Sequence, residues 1–377
     1  MDPFESERYS RHLNLPGFGS AGQVALQQAA VLVIGAGGLG CPVLQYLTAA
    51  GVGTIGLVDN DVVALSNISR QVLYSEADIG KPKVQAAIAK LQAMNSKTKF
   101  IAHEEFLSQK NALTIFSGYD LVIDCTDNFE TRYLINDACV LLSKTFIHGA
   151  VYRFAGQIAL MNHGKENGER SATYRCLFPE PPAAGAVGNC ETAGVLSTLT
   201  GIIGTMQATM AVKVICGTGH EVEGKLFLFN ANSFESHSCF IPRNEEADKK
   251  RPCDKEAFLT YDYSTFCNSK SAPEFEISPS GLYHLMAGEQ PVEVIDIRQP
   301  GEWPEITDLP ATAIPVADFN DNISFPNHNT TVVLICTSGK RSLDMATRIN
   351  QNRTKPVLSL RGGIKAWNQF KTGITNE

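Results

Sequence analysis

Residues 31–61, VLVIGAGGLGCPVLQYLTAAGVGTIGLVDND, restrict the fold of this chain more than any other stretch. Residues 31–34 are a short run of β-branched residues and leucine, the pattern of a strand buried on both faces of a parallel sheet. That run leads straight into Gly35-Ala36-Gly37-Gly38-Leu39-Gly40, and the residues up to Ala50 carry a helical pattern. A second strand, Thr54–Val58, ends at Asp59. The order predicts an α/β, Rossmann-like doubly wound domain. Gly35, Gly37, Gly38 and Gly40 permit a tight turn and a close approach of backbone to phosphate. The amides at the helix start add donors and the positive end of a dipole. Asp59, 19 residues past Gly40, stands where a carboxylate accepts from a ribose hydroxyl. A nucleotide site follows from this context. Its nucleotide stays open, because a nicotinamide-dependent oxidoreductase would carry the same pattern.

At 377 residues the chain has room for two domains. A net charge of −7 and the absence of a basic tract argue against a nucleic-acid binder. The N-terminus, MDPFESERYSRHLNLPGFG, lacks the apolar core of a signal peptide, and ten scattered cysteines suit a reducing compartment, so a cytoplasmic location is expected. Residues 195–215 are the one long apolar helical candidate. Ser197, Thr198, Thr200, Gln207 and Lys213, with many small residues, fit a packed core or subunit-interface helix better than a membrane span.

Along the chain, Arg8, Arg11 and His12 form a basic cluster before a Pro-Gly-Phe-Gly turn. A polar loop, DVVALSNISRQ, follows the second strand, and DIGKPK precedes an amphipathic helix over 84–94. Residues 119–125 read as another buried strand, ending in Thr126-Asp127-Asn128, where doubly wound sheets face their ligand. Residues 146–151 and Ala155–Met161 read as further strands, and 175–191 as a long connection rich in Pro, Gly and Ala. From Arg243 to about Glu274 the pattern dissolves into charge and small polar residues, so 1–243 reads as one domain, 244–273 as a linker and 274–377 as a smaller α/β domain. In the latter, Ser278-Pro279 is a helix start, and 292–297 and Thr331–Ile335 are strands.

Arg11, Asp59, Asn67, Arg70, Lys83 and Asp127 gather on loops around the glycine turn. Each alone is an ordinary surface polar residue. Together they fit a triphosphate held by several cations, with a strand-end carboxylate for magnesium, which prefers hard oxygen ligands. A dehydrogenase binds its pyrophosphate with backbone amides and needs no such array. The group points to ATP and to attack at its α-phosphate.

The motifs RYSRHLNLPGFG, GAGGLG, DND…LSNISRQ, DIGKPK and DCTDN resemble the ubiquitin-activating-enzyme superfamily, in particular its MoeB/ThiF branch and the fused eukaryotic relatives, over about two-thirds of the chain. The resemblance implies that Asp59 binds the ribose, that Asn67, Arg70 and Lys83 position phosphates, and that Asp127 holds magnesium. It implies a homodimer, with Arg11 reaching into the partner subunit's site. It also implies a substrate, the C-terminal Gly-Gly carboxylate of a ubiquitin-like β-grasp sulfur carrier, converted to carrier–AMP. Cys190 lies in LFPEPPAAGAVGNCETAGVLS, which resembles the family's reactive-cysteine loop. A helix start over 191–194 would lower its pKa and ready it to attack an acyl-adenylate or an acyl disulfide. Cys41, Cys125, Cys139 and Cys216, inside apolar stretches, read as structural. The family's two Cys-x-x-Cys pairs imply a tetrahedral zinc, but this chain has Thr173-Tyr-Arg-Cys176 at the first and no second pair after Asn230. A rearranged site of Cys176 with Cys239, Cys253 and Cys267 is the alternative, but their spacing gives it no support, and no structural zinc is expected.

Cys336 ends a strand and is followed by Thr-Ser-Gly-Lys-Arg341 and a helix, so backbone amides cradle a thiolate or persulfide anion there. With VIDIRQPGEW, LPATAIPV and LRGGIKAW this resembles a rhodanese domain, in which Cys336 would carry a persulfide and Arg341 close the loop. A cysteine phosphatase also pairs a cysteine with an arginine, usually across a loop one residue longer. Together the two resemblances imply ATP-dependent adenylation of a sulfur carrier followed by sulfur delivery from a persulfide donor. The product would be a thiocarboxylate for molybdopterin, thiamine or tRNA thiolation. A non-catalytic partner subunit and a nicotinamide-dependent oxidoreductase are the competing readings.

Overall fold

The computed structural model describes residues 3–164, 167–182, 194–218, 222–268, 275–286, 288, 291–306, 308–318, 330–350 and 356–375. They form two compact units, the first ending at Cys267.

The first unit is built on an eight-stranded sheet: β1 (Ala30–Ile34), β2 (Thr54–Val58), β3 (Lys99–His103), β4 (Leu121–Asp124), β5 (Thr145–Tyr152), β6 (Ala155–Met161), β7 (Lys225–Asn230) and β8 (Glu235–Phe240). The spatial order is β3-β2-β1-β4-β5-β6-β7-β8. β1 to β5 pair in parallel, and β6 to β8 extend the sheet with antiparallel pairs. The strand order reverses at β1, which lies between β2 and β4, so the crevice of the doubly wound part opens at the carboxyl ends of β1 and β4.

β1 explains why its sequence is apolar without interruption. Val31 and Val33 join Leu44, Leu47 and Val84 in one core, while Leu32 and Ile34 join Phe116, Tyr133 and Phe146 in another on the opposite face. Each of these fully buried aliphatic side chains contributes about 1.5–3 kcal/mol of transfer free energy. The helix Ser197–Ile215 is, among the described residues, the one helix long and apolar enough to cross a membrane. In this fold it is a core helix. Leu199, Ile203, Ala208 and Ala211 join the first core, and Gln207 Nε2 donates to the Asp124 carbonyl at 2.7 Å. β8 carries no clear strand signal in the sequence, because every residue of it is exposed and no apolar alternation marks it.

The stretch read as a linker over 244–273 differs in its described part. Glu245–Asp248, Lys255–Thr260 and Tyr263–Asn268 are helices, with Phe258 and Tyr263 buried in the second core. Tyr263 donates to the buried Asp137 at 2.9 Å, and Gln109 donates to the Tyr261 carbonyl at 2.6 Å. The charged composition of this stretch masks a few widely spaced aromatic anchors.

The second unit has a five-stranded, all-parallel sheet of β9 (Glu276–Ile277), β10 (Val292–Asp296), β11 (Thr312–Ala313), β12 (Thr331–Ile335) and β13 (Leu358–Leu360), ordered β11-β10-β12-β13-β9. Val333, Ile335, Leu360 and Trp367 form the core on one face, and Val332, Leu334, Cys336 and Met345 the core on the other.

Candidate functional site

At the carboxyl end of β1, Gly35 has φ 95° and lies so close to β4 that a Cβ would meet the Cys125 carbonyl at 2.9 Å. A Cβ on Gly40 would strike the Gly35 carbonyl at 1.9 Å. Any larger residue at either position would push the turn away from the helix start it feeds. Asp59 ties this turn to β2. Its Oδ2 accepts from the Ala36 amide at 2.7 Å and its Oδ1 from the Asp61 amide at 2.8 Å. A carboxylate has about four acceptor positions, so Asp59 keeps capacity for ribose hydroxyls.

Lys83, 4% exposed, donates to Asp61 Oδ2 at 2.8 Å across this corner. Tyr74 donates to the Ala36 carbonyl at 3.0 Å and reaches the Lys83 carbonyl at 3.4 Å, joining the glycine turn to the lysine. Burial pushes the Tyr74 pKa up, so it stays a donor. The Asn67 carbonyl accepts from the Arg70 and Gln71 amides, and Arg70 Nη1 donates to the Ser66 carbonyl at 3.0 Å. Gln71 is buried beside Gly37, and its Oε1 has no hydrogen-bond partner among the described residues. Thr200 packs on Gly38 and contacts the Arg70 carbonyl, which brings the start of the helix Ser197–Ile215 to the turn as well.

Asp127 is exposed on the loop after β4, between two anchored neighbours. Thr126 donates through its amide and its hydroxyl to Asp124 Oδ1, at 3.0 and 2.6 Å, and Asn128 caps the next helix by accepting from the Thr131 amide. Asp124 is wholly buried and accepts from His148 Nδ1 at 2.9 Å, while His148 Nε2 meets Gln157. Burial opposes the Asp124 charge, but His148, Arg132 and Thr126 together outweigh it and the pKa is lowered. Burial also lowers the His148 pKa, so the pair is a carboxylate with a neutral imidazole. Asp124 and His148 therefore set the loop that presents Asp127. Sequence reasoning missed them, as it missed Asp61, Tyr74 and Gln71. The second acid of Asp59-Asn60-Asp61 was a legible signal, whereas His148 sits unmarked in an apolar strand.

Arg11 is not brought to this corner of its own chain. Its neighbour Tyr9 packs on Gly51 and accepts from Asn95, and His12 bonds Gln23, which donates to the Ala50 carbonyl. These anchors lie at the C-terminal end of the 11-residue helix Gly40–Ala50, and 1.5 Å per residue puts them about 16 Å from the glycine turn. Cys190 lies outside the described residues. Of the helix start expected over 191–194 only Gly194 is described, with a φ of 76° that is not helical, and the described helix begins at Ser197. Burial pushes the Cys41 thiol up to about 12 and those of Cys125 and Cys139 well up, as structural cysteines require. Cys216 is half-buried and is raised for the same reason.

In the second unit the loop from Cys336 to Arg341 joins β12 to the helix Lys340–Asn350. Cys336 is buried, and its Sγ accepts from Ser342 Oγ at 3.5 Å. Ser342 is itself fixed by Ser359 Oγ at 2.8 Å and by the Gly339 carbonyl. Gly363 packs so closely under the loop that a Cβ would lie 2.5 and 2.8 Å from the Gly339 and Ser338 amides. Arg341 forks onto Glu302, with Nη1–Oε1 at 2.8 Å and an Nη2–Oε2 bond beside it. Its pKa is raised, first by Glu302 and further by Cys336, which lies within its reach.

A model of the ThiF family matches residues 9–253, and a rhodanese-like domain model matches residues 278–370. The chain belongs to the ThiF family. It is 38% identical over 371 residues to the probable adenylyltransferase/sulfurtransferase MoeZ of Mycobacterium tuberculosis, covering 96% of this chain and 93% of that one. It is 45% identical over 265 residues to the sulfur carrier protein adenylyltransferase of Thermus thermophilus, covering 70% and 97%. Among solved structures, Escherichia coli MccB with ATP shares the fold at 23% identity, with a TM-score of 0.55 over 63% of this chain and 72% of that one. The ThiF-family chain is thus an adenylyltransferase with a sulfurtransferase domain. The oxidoreductase, phosphatase and non-catalytic readings fall away.

At Thr173, where the resemblance places the first zinc-binding pair, the structure shows a hydrogen-bonded cluster. Thr173 caps the helix Tyr174–Leu177, and its hydroxyl donates to Asp248 at 2.8 Å. Arg243 binds Asp248 and also donates to the Ser171 carbonyl at 2.9 Å, while the Cys176 sulfur accepts from the Asn244 amide at 3.3 Å. Among the described residues no three His, Cys, Asp or Glu side chains are placed to hold a metal. The donor set here, a hydroxyl, one thiol and a carboxylate already bound to arginine, does not fit tetrahedral zinc.

Proposed function

We propose that this chain uses ATP to adenylate the C-terminal Gly-Gly carboxylate of a ubiquitin-like sulfur-carrier protein and then converts it to a thiocarboxylate with sulfur carried on Cys336. The carrying observation is the corner where the glycine turn, Asp59 and the buried Lys83 with its exposed partner Asp61 converge at the carboxyl ends of β1 and β2. The name of the Thermus thermophilus relative supports the carrier as substrate. Asp59 takes the ribose hydroxyls, and the amides of the glycine turn beyond Ala36 take phosphate oxygens. Lys83, Arg70 and Asn67 hold the triphosphate so that the carrier carboxylate lies in line with the α-phosphate. Asp127, an exposed hard-oxygen donor on the loop after β4, fits magnesium, which usually binds through one or two carboxylates plus substrate phosphates. Bound there, the ion would neutralise charge on the phosphates. Pyrophosphate leaves and carrier–AMP forms.

The terminal sulfur of the Cys336 persulfide then attacks the acyl carbon and AMP leaves, which gives an acyl disulfide. A thiolate, assigned to Cys190, attacks the Cys336 sulfur. The carrier thiocarboxylate departs and a protein disulfide remains for a cellular thiol to reduce. A reducing, cytoplasmic setting suits this chemistry, and the nine described cysteines are unpaired. The same steps serve a carrier of molybdopterin, thiamine or tRNA thiolation.

We further propose a homodimer in which Arg11 serves the partner's site. Two features support it. Arg11 stands about a helix length from its own glycine turn, and the helix Ser197–Ile215 borders an apolar groove of about 540 Å³ with His12, Phe18 and Tyr46. The test is ATP–pyrophosphate exchange. Exchange should require a carrier ending in Gly-Gly. Arg11→Ala and Asp127→Ala proteins, each inactive, should together regain one working site per mixed dimer. No recovery after verified subunit exchange would remove the trans role. For zinc, elemental analysis of untagged protein should find well below one atom per chain, and a stoichiometric, tightly held zinc would contradict the reading of Thr173 and Asp248.

A further inference from the structure

The Arg341 guanidinium lies within reach of the Cys336 thiol, yet it faces a carboxylate of its own chain. Glu302 takes both of its forward N–H groups, and the same carboxylate accepts from the Gln299 amide at 2.8 Å and from Thr337 Oγ1 at 3.4 Å. The Glu302 backbone is fixed as well. Arg298, bound to Asp296, donates to the carbonyls of Glu302 and Pro304 at 3.0 and 2.6 Å. The acid is therefore held on a rigid lip, with 29% of its side chain exposed, while its arginine partner is 40% exposed. Arg341 holds the Glu302 carboxyl down at about 2, so the acid remains charged across the range in which the enzyme is assayed.

This arrangement bears on which sulfur donor the cradle accepts. In transfer from thiosulfate, the Cys336 thiolate attacks the sulfane sulfur, the S–S bond breaks and sulfite leaves with the electron pair. The sulfonate end must be held by cations while it departs. In transfer from a cysteine-type persulfide, the same attack expels a thiolate, and no sulfonate needs a site. We propose, resting on the reading of Cys336 as the persulfide carrier, that Glu302 selects the sulfur donor. By occupying Arg341 it disfavours donors with a sulfonate leaving group relative to alkyl persulfides.

The test uses the full chain and thiocyanate formation, in which cyanide takes the outer sulfur and returns the Cys336 thiolate. The two donors are thiosulfate and N-acetylcysteamine persulfide, whose leaving thiol bears no other charge. In Glu302→Gln the ratio of kcat/KM for thiosulfate to that for the persulfide should rise about tenfold, mainly through a lower KM for thiosulfate, and added salt should shrink the change. Glu302→Asp is too short to keep both oxygens on the guanidinium. It should move the ratio the same way by a smaller factor, and it serves if the Gln variant is unstable. An unchanged ratio, or a parallel loss with both donors, would make Glu302 a structural clamp and overturn the proposal. Cys336→Ala separates the two claims. Transfer surviving in that variant would remove the persulfide-carrier reading itself, whatever the ratio at Glu302.

Discussion

Asp127→Ala lowers ATP–pyrophosphate exchange by about 10³-fold or more while the protein stays folded. The loss follows from position. Asp127 is an exposed carboxylate on the loop that leaves β4, whose end runs against Gly35 of the glycine turn. It is the acid best placed there to hold a cation on the triphosphate. Folding is spared because the loop is fixed by its neighbours, through the Thr126 bonds to Asp124 and the Asn128 cap. A surface substitution of this kind costs within about 0.5 kcal/mol. Exchange and thermal melting measured on one preparation check both parts. Normal exchange in a folded Asp127→Ala protein would remove the residue from the site.

Cys336→Ala abolishes thiocyanate formation from any sulfur donor and leaves pyrophosphate exchange near the wild-type rate. The thiol is the only group in its loop able to form a persulfide. It is buried, its sulfur accepts from Ser342 Oγ, and it lies within reach of Arg341. Adenylation needs no thiol, because the carrier carboxylate itself attacks ATP. For the same reason Cys190→Ala should keep both exchange and thiocyanate formation, and it should fail only where a second thiol must release the thiocarboxylate. Loss of exchange in Cys336→Ala with an unchanged melting temperature would contradict this division of labour.

The parts of the fold legible in the sequence were those where one physical demand dominates. β1 had to be apolar on both faces, and the turn after it had to lack side chains at Gly35 and Gly40, so strand, turn, helix and Asp59 could be read directly. The β12 strand ending in Cys336 was legible for the same reason. Other features depend on long-range partners and leave no local mark. β8 is exposed throughout and shows no alternation. Phe258 and Tyr263 anchor helices inside a charged stretch that reads as a linker. Asp124 and His148 meet across 24 residues, and Glu302 meets Arg341 across 39, so neither pairing has a spacing rule. Charged groups near a glycine turn could be gathered from sequence. Which of them the fold already pairs, as Lys83 is with Asp61, required coordinates.

The most direct test of the whole account is the intact mass of a Gly-Gly-ended carrier incubated with this protein, ATP, magnesium and a persulfide donor. The account predicts a gain of about 16 Da as sulfur replaces one carboxylate oxygen, absent without ATP and absent with either Asp127→Ala or Cys336→Ala. A carrier that gains this mass at the normal rate with Cys336→Ala, or one that never gains it with the wild-type protein, would contradict it.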